Sequence, residues 1–246
     1  MKTITIEVLY PEFNNLYGDR GNLLYLTKKL ASCDCPLQVL ASHLHETPAF
    51  VQSGVDLLLI GPCTERQQEL ELEQLLPRRD AIQQRIDQGG VTLATGNAFE
   101  LFGEYIQREN GEQIPALGLF PFHAERFERL RYNERCAGKL DGLTVVGFKN
   151  QLSHSYVHPQ QTVPPLLHME VGSGWNPTVK TEGIHVQNFF ATYLLGPLLP
   201  LNPAFTDRLI QTMLDSGESP AELPWERTAY DVRLQELYPR EESVSN

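Results

Sequence analysis

The stretch from Val91 to Gly103 reads V-T-L-A-T-G-N-A-F-E-L-F-G. Its first four residues form a short apolar run that predicts a buried strand, and the spacing of Phe99 and Phe102 after the turn predicts a helix. A strand that turns sharply into a helix pushes one residue out beside the helix N-terminus, where free backbone N–H groups favour negative charge. Many α/β enzymes carry a nucleophile at such a turn. Here the tip residues are Gly96 and Asn97, so the turn has the form of a nucleophile site but lacks the nucleophile.

The chain before this turn alternates between strand and helix patterns. Apolar and β-branched runs predict strands at residues 3–10, 36–41 and 55–60. Helical patterns precede or follow them, one ending near residue 29 and two more at residues 65–76 and 79–88. Such alternation favours a doubly wound, mostly parallel sheet. The second half of the chain no longer alternates in this way. Its patterns predict strands at 127–132, 143–148 and 167–171 and helices at 189–195 and 203–214.

The composition limits the class of protein. A chain of 246 residues with 41% hydrophobic and 21% charged residues is ordinary for a globular protein. The net charge of −11 argues against binding to duplex nucleic acid, because no Lys/Arg-rich run offsets it. No apolar run reaches the roughly 18 residues that a membrane span needs, and the N-terminus leads directly into a strand pattern. The four cysteines follow no metal-ligand or disulfide spacing, so we predict a cytoplasmic protein with reduced thiols.

Several stretches resemble one known family, in the same order along the chain. Besides the turn at Gly96, they are L-Y-P-E-F-N-N-L-Y-G-D-R-G-N (residues 9–22), L-I-G-P-C-T-E-R-Q-Q-E (59–69), V-G-F-K-N-Q-L-S-H-S-Y (146–156) and E-G-I-H-V-Q-N-F-F-A-T-Y-L-L-G-P-L-L-P-L-N-P (182–203). Together they resemble the CobB/CobQ-type class I glutamine amidotransferases, most of all the GatD type found in lipid II isoglutaminyl synthase. The resemblance implies a flavodoxin-like, three-layer α/β fold with a mostly parallel central sheet over residues 1–216. A polar tail, residues 217–246, follows with room for one short helix.

The resemblance also implies a chemistry, which this sequence does not support. In the family, a Cys thiolate at the turn attacks the glutamine side-chain amide, backbone N–H groups hold the oxyanion and a His moves the proton. The motifs place Gly96 at the Cys position and Leu195 at the His position, and Pro62 replaces a glycine whose N–H the family retains. A shift of the alignment restores neither group, because residues 64–135 contain no Cys and residues 186–246 contain no His. We therefore predict no catalytic residue at this site.

A pocket without the nucleophile can still bind a ligand. The resemblance assigns Arg135, in E-R-C-A-G, to the arginine that grips the glutamine α-carboxylate, and we predict Asn97 and Gly61 as further ligand-binding residues. Cys63 as a substitute nucleophile and His154 as part of a relocated Ser/His pair are the alternatives. A small buried thiol and a surface-loop histidine are the better interpretations of these two residues. We predict no metal site and no cofactor.

Three functions remain open at this point. The first is a non-hydrolysing subunit that binds a Mur-ligase-like, amide-forming synthetase in cell-wall precursor amidation. The second is an active glutaminase or another hydrolase that uses substitute residues. The third is a sensor that binds glutamine or a related small acid without turnover.

Overall fold

The structure is a computed structural model that describes residues 2–33, 35–52, 54–214 and 219–239. In chain order its strands are β1 (Ile4–Leu9), β2 (Leu37–Ser42), β3 (Leu57–Ile60), β4 (Val91–Thr95), β5 (Tyr105–Gln107), β6 (Gln113–Pro115), β7 (Phe122–Arg126), β8 (Tyr132–Leu140), β9 (Leu143–Gln151), β10 (Ser153–Val157), β11 (Leu167–Val171), β12 (Thr181–Glu182), β13 (Ile184–Val186) and β14 (Phe189–Thr192). The helices are α1 (Arg20–Leu30), α2 (Ala49–Gln52), α3 (Glu65–Leu75), α4 (Arg79–Asp87), α5 (Leu198–Leu201), α6 (Pro203–Leu214) and α7 (Glu226–Leu237).

The central sheet has six strands in the order β13-β14-β4-β3-β1-β2. All neighbouring strands of this sheet are parallel except β13 and β14, which pair antiparallel at one edge. This order places β1 between β2 and β3, so the chain reverses its direction of travel across the sheet there, as in flavodoxin-like folds. The predicted fold class, a three-layer α/β domain with a mostly parallel central sheet, is confirmed.

Helices cover both faces of this sheet. On one face, Leu26 of α1 and Leu209 of α6 pack in one buried cluster with Leu57 of β3. On the other face, Leu72 of α3 and Ile82 of α4 share a second buried cluster with strand residues of the sheet. Burial on both faces explains why β3 is apolar throughout, and every residue of β4 is buried as well.

The second half of the chain adds two four-stranded sheets, ordered β10-β7-β5-β6 and β12-β11-β8-β9. Two sequence predictions fail here. Residues 127–131 form a connection between β7 and β8 rather than a strand. Residues 189–195 begin with strand β14 rather than a helix, because Phe189–Thr192 pairs in parallel with Thr92–Thr95 of β4. A short apolar run buried on both faces has the same pattern in a helix and in a strand, so only the pairing decides.

The segment 219–239 packs against the domain through helix α7. Lys29 on α1 is fully buried and forms ion pairs of 2.8 Å with Asp207 of α6 and 3.0 Å with Glu226 at the start of α7. The hydroxyl of Tyr25 donates a 2.5 Å hydrogen bond to the same Glu226 carboxylate. Three charged groups that are distant in sequence therefore attach the C-terminal helix to α1 and α6. Within the described ranges, no helix combines the length and apolar character needed to cross a bilayer.

Candidate functional site

A small cavity opens where strand β4 ends, at the turn singled out in the sequence. Its volume is about 100 Å³, well below the roughly 300 Å³ at the lower end of small-molecule sites. It is lined by the loop after β3, by the turn after β4 and by β9, β10 and β14 with their flanking residues: Leu16, Tyr17, Pro62, Cys63, Thr64, Glu65, Gly96, Asn97, Glu100, Arg126, Arg131, Asn150, Gln151, Leu152, Ser153, Tyr193 and Leu195. Cavities at the carboxyl ends of parallel strands are the usual ligand sites of this architecture.

The turn itself leaves no room for a side chain at its tip. Gly96 has φ +61°, a left-handed conformation that favours glycine. A Cβ atom on Gly96 would lie 2.7 Å from Cβ of Pro62 and 2.8 Å from Cδ2 of Leu195, both well inside van der Waals contact. These three residues are thus interlocked: the side chains of Pro62 and Leu195 fill the space that a side chain on residue 96 would need. The chain continues from this tip as a 3₁₀ helix, Gly96–Phe102, rather than the α-helix that the spacing predicted.

Leu195 presents an apolar side chain to this turn. It is 2% exposed, and its backbone pairs with Phe148 of β9 through N–H···O bonds of 2.8 and 3.2 Å. The pairing fixes the position of the side chain over Gly96. Residues 96 and 195 therefore lie side by side, although neither carries a group that can donate, accept or attack.

Asn97 lines the cavity, but its amide group is already engaged. Its Oδ1 accepts from the backbone N–H of Cys63 at 3.1 Å, and its Nδ2 donates to the Cys63 carbonyl at 2.9 Å. These two bonds attach the loop after β3 to the turn after β4. Cys63 is 3% exposed, as expected for a small buried thiol, and burial followed by the nearby Glu71 carboxyl raises its pKa far above the ordinary range. The thiolate form that a nucleophile requires is therefore disfavoured.

The floor of the cavity is a closed polar network around Glu100. This carboxylate is 2% exposed and accepts hydrogen bonds from Ser153 Oγ, from Gln68 Nε2 at 3.0 Å and from Tyr193 OH at 3.2 Å. Burial raises the pKa of Glu100, against the opposing effect of Arg126 and these donors. Since the groups satisfy one another, the network stabilises the arrangement of β10, β14 and the turn.

Two arginines line the cavity, and Arg135 is not one of them. Arg135 is exposed on β8, opposite Phe148 in the strand register, and lies outside the lining. Arg126 is fixed by Glu69 at 2.8 Å and by Gln68 Oε1 at 2.7 Å. Within the described ranges, Arg131 donates to neutral acceptors only, Tyr17 OH at 3.0 Å and Asn150 Oδ1 at 2.8 Å. The sequence signal for both was the run R-F-E-R-L-R at residues 126–131, which we interpreted as a strand instead.

His154 does not form a catalytic pair with its serine neighbours. It is 4% exposed and lies on strand β10, not on a surface loop as predicted. The centroid of its ring is 3.9 Å from the ring centroid of Tyr132 and 5.3 Å from that of Phe127. Ser153 and Ser155 lie on the opposite face of the strand, since side chains alternate. Ser153 donates to Glu100, and Ser155 shares a 2.6 Å bond with Tyr193 OH. Among the described residues that line the cavity, none is a histidine.

The N-terminal loop packs on the turn through polar side chains. Thr95 Oγ1, just before Gly96, donates to Asp19 Oδ1 at 2.8 Å, and Asn22 Nδ2 donates to the same oxygen at 2.8 Å. Gly61 allows this packing, because a Cβ there would meet Asp19 Oδ2 at 2.6 Å and the Asn14 carbonyl oxygen at 2.7 Å. Gly61 itself lines a second, separate cavity. Within the described ranges there is no cluster of three or more His, Cys, Asp or Glu side chains that could hold a metal ion.

A family model described as the CobB/CobQ-like glutamine amidotransferase domain matches residues 5–203, most of the chain and every segment that builds this cavity. The chain belongs to the CobB/CobQ-like glutamine amidotransferase family. Within this family it is similar to the GatD subunit of lipid II isoglutaminyl synthase (glutamine-hydrolyzing) from Staphylococcus aureus strain N315, with 29% identity over 90% of this chain and 89% of the relative. The GatD subunit from Streptococcus pneumoniae strain R6 is 28% identical over 86% of this chain and 80% of the relative.

Two solved structures have a fold similar to that of this chain. A crystal structure described as a glutamine amidotransferase superposes with a TM-score of 0.51 at 16% identity, covering 85% of this chain and 98% of the other. A glutamine amidotransferase from Thermotoga maritima gives a TM-score of 0.52 at 9% identity, covering 97% and 100%. At these identities the superpositions establish the fold, and the function must be argued from the cavity.

Proposed function

We propose that this CobB/CobQ-like chain is a GatD-type subunit that no longer hydrolyses glutamine and acts by binding an amide-forming synthetase. The observation that carries the proposal is the interlocked contact of Pro62, Gly96 and Leu195. Glutamine hydrolysis by this family requires a thiolate at the turn and an imidazole within hydrogen-bond reach of it. The two residues at those positions face each other in the fold, which supports the motif assignment, but they are a glycine and a leucine.

The substitutions form a set rather than three separate losses. A nucleophile at position 96 would need space for its side chain beside the turn. Here the ring of Pro62 and the methyl groups of Leu195 fill that space, and Pro62 has no N–H to offer an oxyanion. The apolar contact stabilises the turn in a form that excludes a nucleophile. The cavity that remains beside the turn has a volume of about 100 Å³.

Substitute catalysis has little support from the geometry. Cys63 is a thiol that lines the cavity beside the turn, and burial, followed by the nearby carboxyl groups, raises its pKa and disfavours its ionised form. His154 packs against aromatic rings on the far side of β10. A thiol and an imidazole that share no cleft cannot exchange a proton during attack on an amide.

The partner is inferred from the relatives. Both are subunits of a glutamine-hydrolyzing lipid II isoglutaminyl synthase, by name an assembly rather than a single chain. We infer that this chain binds a Mur-ligase-like, ATP-dependent synthetase involved in amidating a cell-wall precursor, with the cavity face near the synthetase, in the cytoplasm. Such a synthetase would then take free ammonia, or ammonia from another source.

Two measurements test the proposal. Purified protein is assayed for ammonia release from glutamine, alone and with the Mur-ligase-like synthetase of the same genome, with the Staphylococcus aureus GatD and its own synthetase as the positive control. We expect no release above background, together with a stable complex on size-exclusion chromatography. Release of ammonia that disappears in Cys63→Ala would overturn the loss of hydrolysis, and failure of the two proteins to associate at micromolar concentration would overturn the partner.

A glutamine-type sensor is the second candidate, and one observation favours it. Arg131 lines the cavity and donates to neutral acceptors only, so its charge is not cancelled by a carboxylate in the way that Glu69 cancels the charge of Arg126. A carboxylate ligand could therefore bind there. Calorimetric titration with glutamine and glutamate tests this, and the sensor predicts saturable binding that is lost in Arg131→Ala and retained in Arg135→Ala.

A further inference from the structure

A second cavity, separate from the one at Gly96, lies at the carboxyl ends of β1, β2 and β3. Its volume is about 320 Å³, within the range of small-molecule sites. It sits beside the boundary between β1 and β3, where the order of the strands reverses and a crevice forms between connections that leave in opposite directions. The two cavities have no lining residue in common.

One wall of this cavity is apolar. It is made by side chains from three strands and from α1: Val8, Leu23, Val39, Leu40, Ala41 and Leu59. Because β2 is the outer strand of the sheet, no further element covers the cavity on that side, and Val39 is 44% exposed. The wall therefore leaves apolar surface in contact with water, which an aliphatic group could cover.

The closed end of the cavity is polar and contains Asp19. One carboxylate oxygen, Oδ1, accepts from Thr95 and from Asn22. No described residue donates a hydrogen bond to the other oxygen, Oδ2, which lies above Gly61 and is not among the fully buried unpartnered atoms. Oδ2 is thus an acceptor that remains available to a molecule in the cavity.

The nearby backbone donors are already used. The N–H of Arg20 donates to Asn15 Oδ1 at 3.0 Å, and the N–H of Asn22 donates to the Asp19 carbonyl at 2.9 Å. These two N–H groups at the start of α1 are therefore not available to bind an anion in the cavity. Arg20, the other charged residue of the lining, is exposed and forms no ion pair with Asp19 among the described contacts. An available acceptor without a competing donor favours a ligand that donates.

We propose that this cavity is a ligand site for a small molecule with an aliphatic body and an ammonium head, the head binding Asp19 Oδ2 and the body covering the apolar wall. A charge-assisted hydrogen bond gives the head its preference, and the wall gives the body its affinity. Burial raises the pKa of Asp19 to about 7, as expected for a carboxylate that lacks a cationic partner. The site is independent of whether the chain hydrolyses glutamine.

Three probes of equal length separate the contributions of head and body: pentylamine, pentanol and pentanoate, each titrated into the full-length protein by calorimetry and by thermal denaturation. We expect pentylamine to bind at least about tenfold more tightly than pentanol and to raise the melting temperature, because a hydrogen bond to a charged group exceeds one to a neutral group. Pentanoate should bind weakest. Equal affinity for all three, tighter binding of pentanoate, or no binding of pentylamine would overturn the proposal.

Two variants locate the binding. Asp19→Asn keeps an oxygen for Thr95 and Asn22 but removes the charge, and we expect it to lower the affinity for pentylamine about tenfold and leave that for pentanol unchanged. Ala41→Leu fills the apolar wall and should abolish binding of all three probes. The matched control is Asp141→Asn, an exposed carboxylate paired with Arg208 elsewhere on the surface. Pentylamine binding that survives both cavity variants, or that falls equally in the control, would contradict the assignment.

The pH dependence gives an independent readout. With a pKa of about 7, the ionised fraction of Asp19 rises about tenfold between pH 6 and pH 8 while the alkylammonium stays charged. The other charged residue in the lining is Arg20, and the hydrogen-bond partners of Asp19 from the neighbouring elements, Thr95 and Asn22, are neutral. Pentylamine affinity should therefore increase about tenfold over this interval in the native protein and stay flat in Asp19→Asn. A flat profile in both proteins would refute a role for the Asp19 carboxylate.

Discussion

Replacing Glu71 by glutamine should stabilise this protein, and the gain should grow with pH. Glu71 lies on α3 and is fully buried, with the side chains of Cys63 and Asn14 beside its carboxyl group. No lysine or arginine is among the groups that act on this carboxyl within the described residues. Burial without a cationic partner disfavours the ionised form, so the folded state favours the protonated carboxyl.

The magnitude follows from the pKa. Burial raises the pKa of Glu71 from 4.5 to about 8, against a smaller opposing effect of the Cys63 and Asn14 side chains. Because the folded-state pKa is the higher one, the stabilisation is complete below pH 4.5 and is lost as the pH rises towards 8. Linkage over this interval gives a loss of about 3 kcal/mol by pH 7 and about 4 kcal/mol by pH 8.

Glu71→Gln removes this loss, because glutamine has a similar size and stays neutral at every pH. The free energy of unfolding is measured by urea denaturation at pH 5, 7 and 8. We expect the variant and the native protein to be similar at pH 5, and the variant to be more stable by about 3 kcal/mol at pH 7. The matched control is Glu73→Gln, an exposed carboxylate two positions further along the same helix.

Two results would refute the reasoning. If the difference between Glu71→Gln and native protein does not change between pH 5 and pH 8, the folded carboxyl titrates normally. If the variant is less stable than native protein at pH 8, the carboxylate has a partner that the structure does not provide.

Three further predictions concern the turn, its network and the C-terminal helix. Gly96→Ala should destabilise the fold by about 2 kcal/mol or more in thermal denaturation, because its φ is positive and a Cβ there would clash with Pro62 and Leu195. Gly111→Ala is the control: its φ is also positive but no atom crowds it, so the difference between the two variants gives the cost of the clash. Glu100→Leu should destabilise by about 2 kcal/mol or more by leaving buried donors unpaired, whereas Glu100→Gln, which keeps an acceptor, should lose less in the same urea titration. Lys29→Met should lower the free energy of unfolding by about 3 kcal/mol, because it leaves the carboxylates of Glu226 and Asp207 without their cation. The variant should also make α7 more accessible to limited proteolysis. Unchanged cleavage would show that the ion pairs do not hold the helix.

Much of the fold was predictable because its signals are local. The apolar runs of β1 and β3 and the helical spacing of α6 each lie within a few residues, and periodicity indicates them directly. The strand at 189–192 was mistaken for a helix and the connection at 127–131 for a strand, since neither segment has a pattern of its own. Residues 189–192 are a strand because they pair with β4, and residues 127–131 are a connection because β7 ends at Arg126.

The candidate site divides in the same way. Sequence identified the turn at Gly96 and the buried nature of Cys63. It did not identify which arginines line the cavity, because Arg126, Arg131 and Arg135 all lie within ten residues and their directions depend on strand register. It also placed His154 at the surface, whereas strand alternation turns that ring into an aromatic cluster.

The sequence alone therefore determined the fold class and the identity of the residues at the turn, none of which can act as a nucleophile or a base. Only the tertiary structure decided that Pro62, Gly96 and Leu195 occupy one space, that Lys29 joins the C-terminal helix to the domain and that a second cavity opens beside Asp19. The physical reason is that composition and periodicity report on neighbours along the chain. Steric contact and charge pairing depend on which strands are adjacent and in what register, and those are properties of the folded sheet.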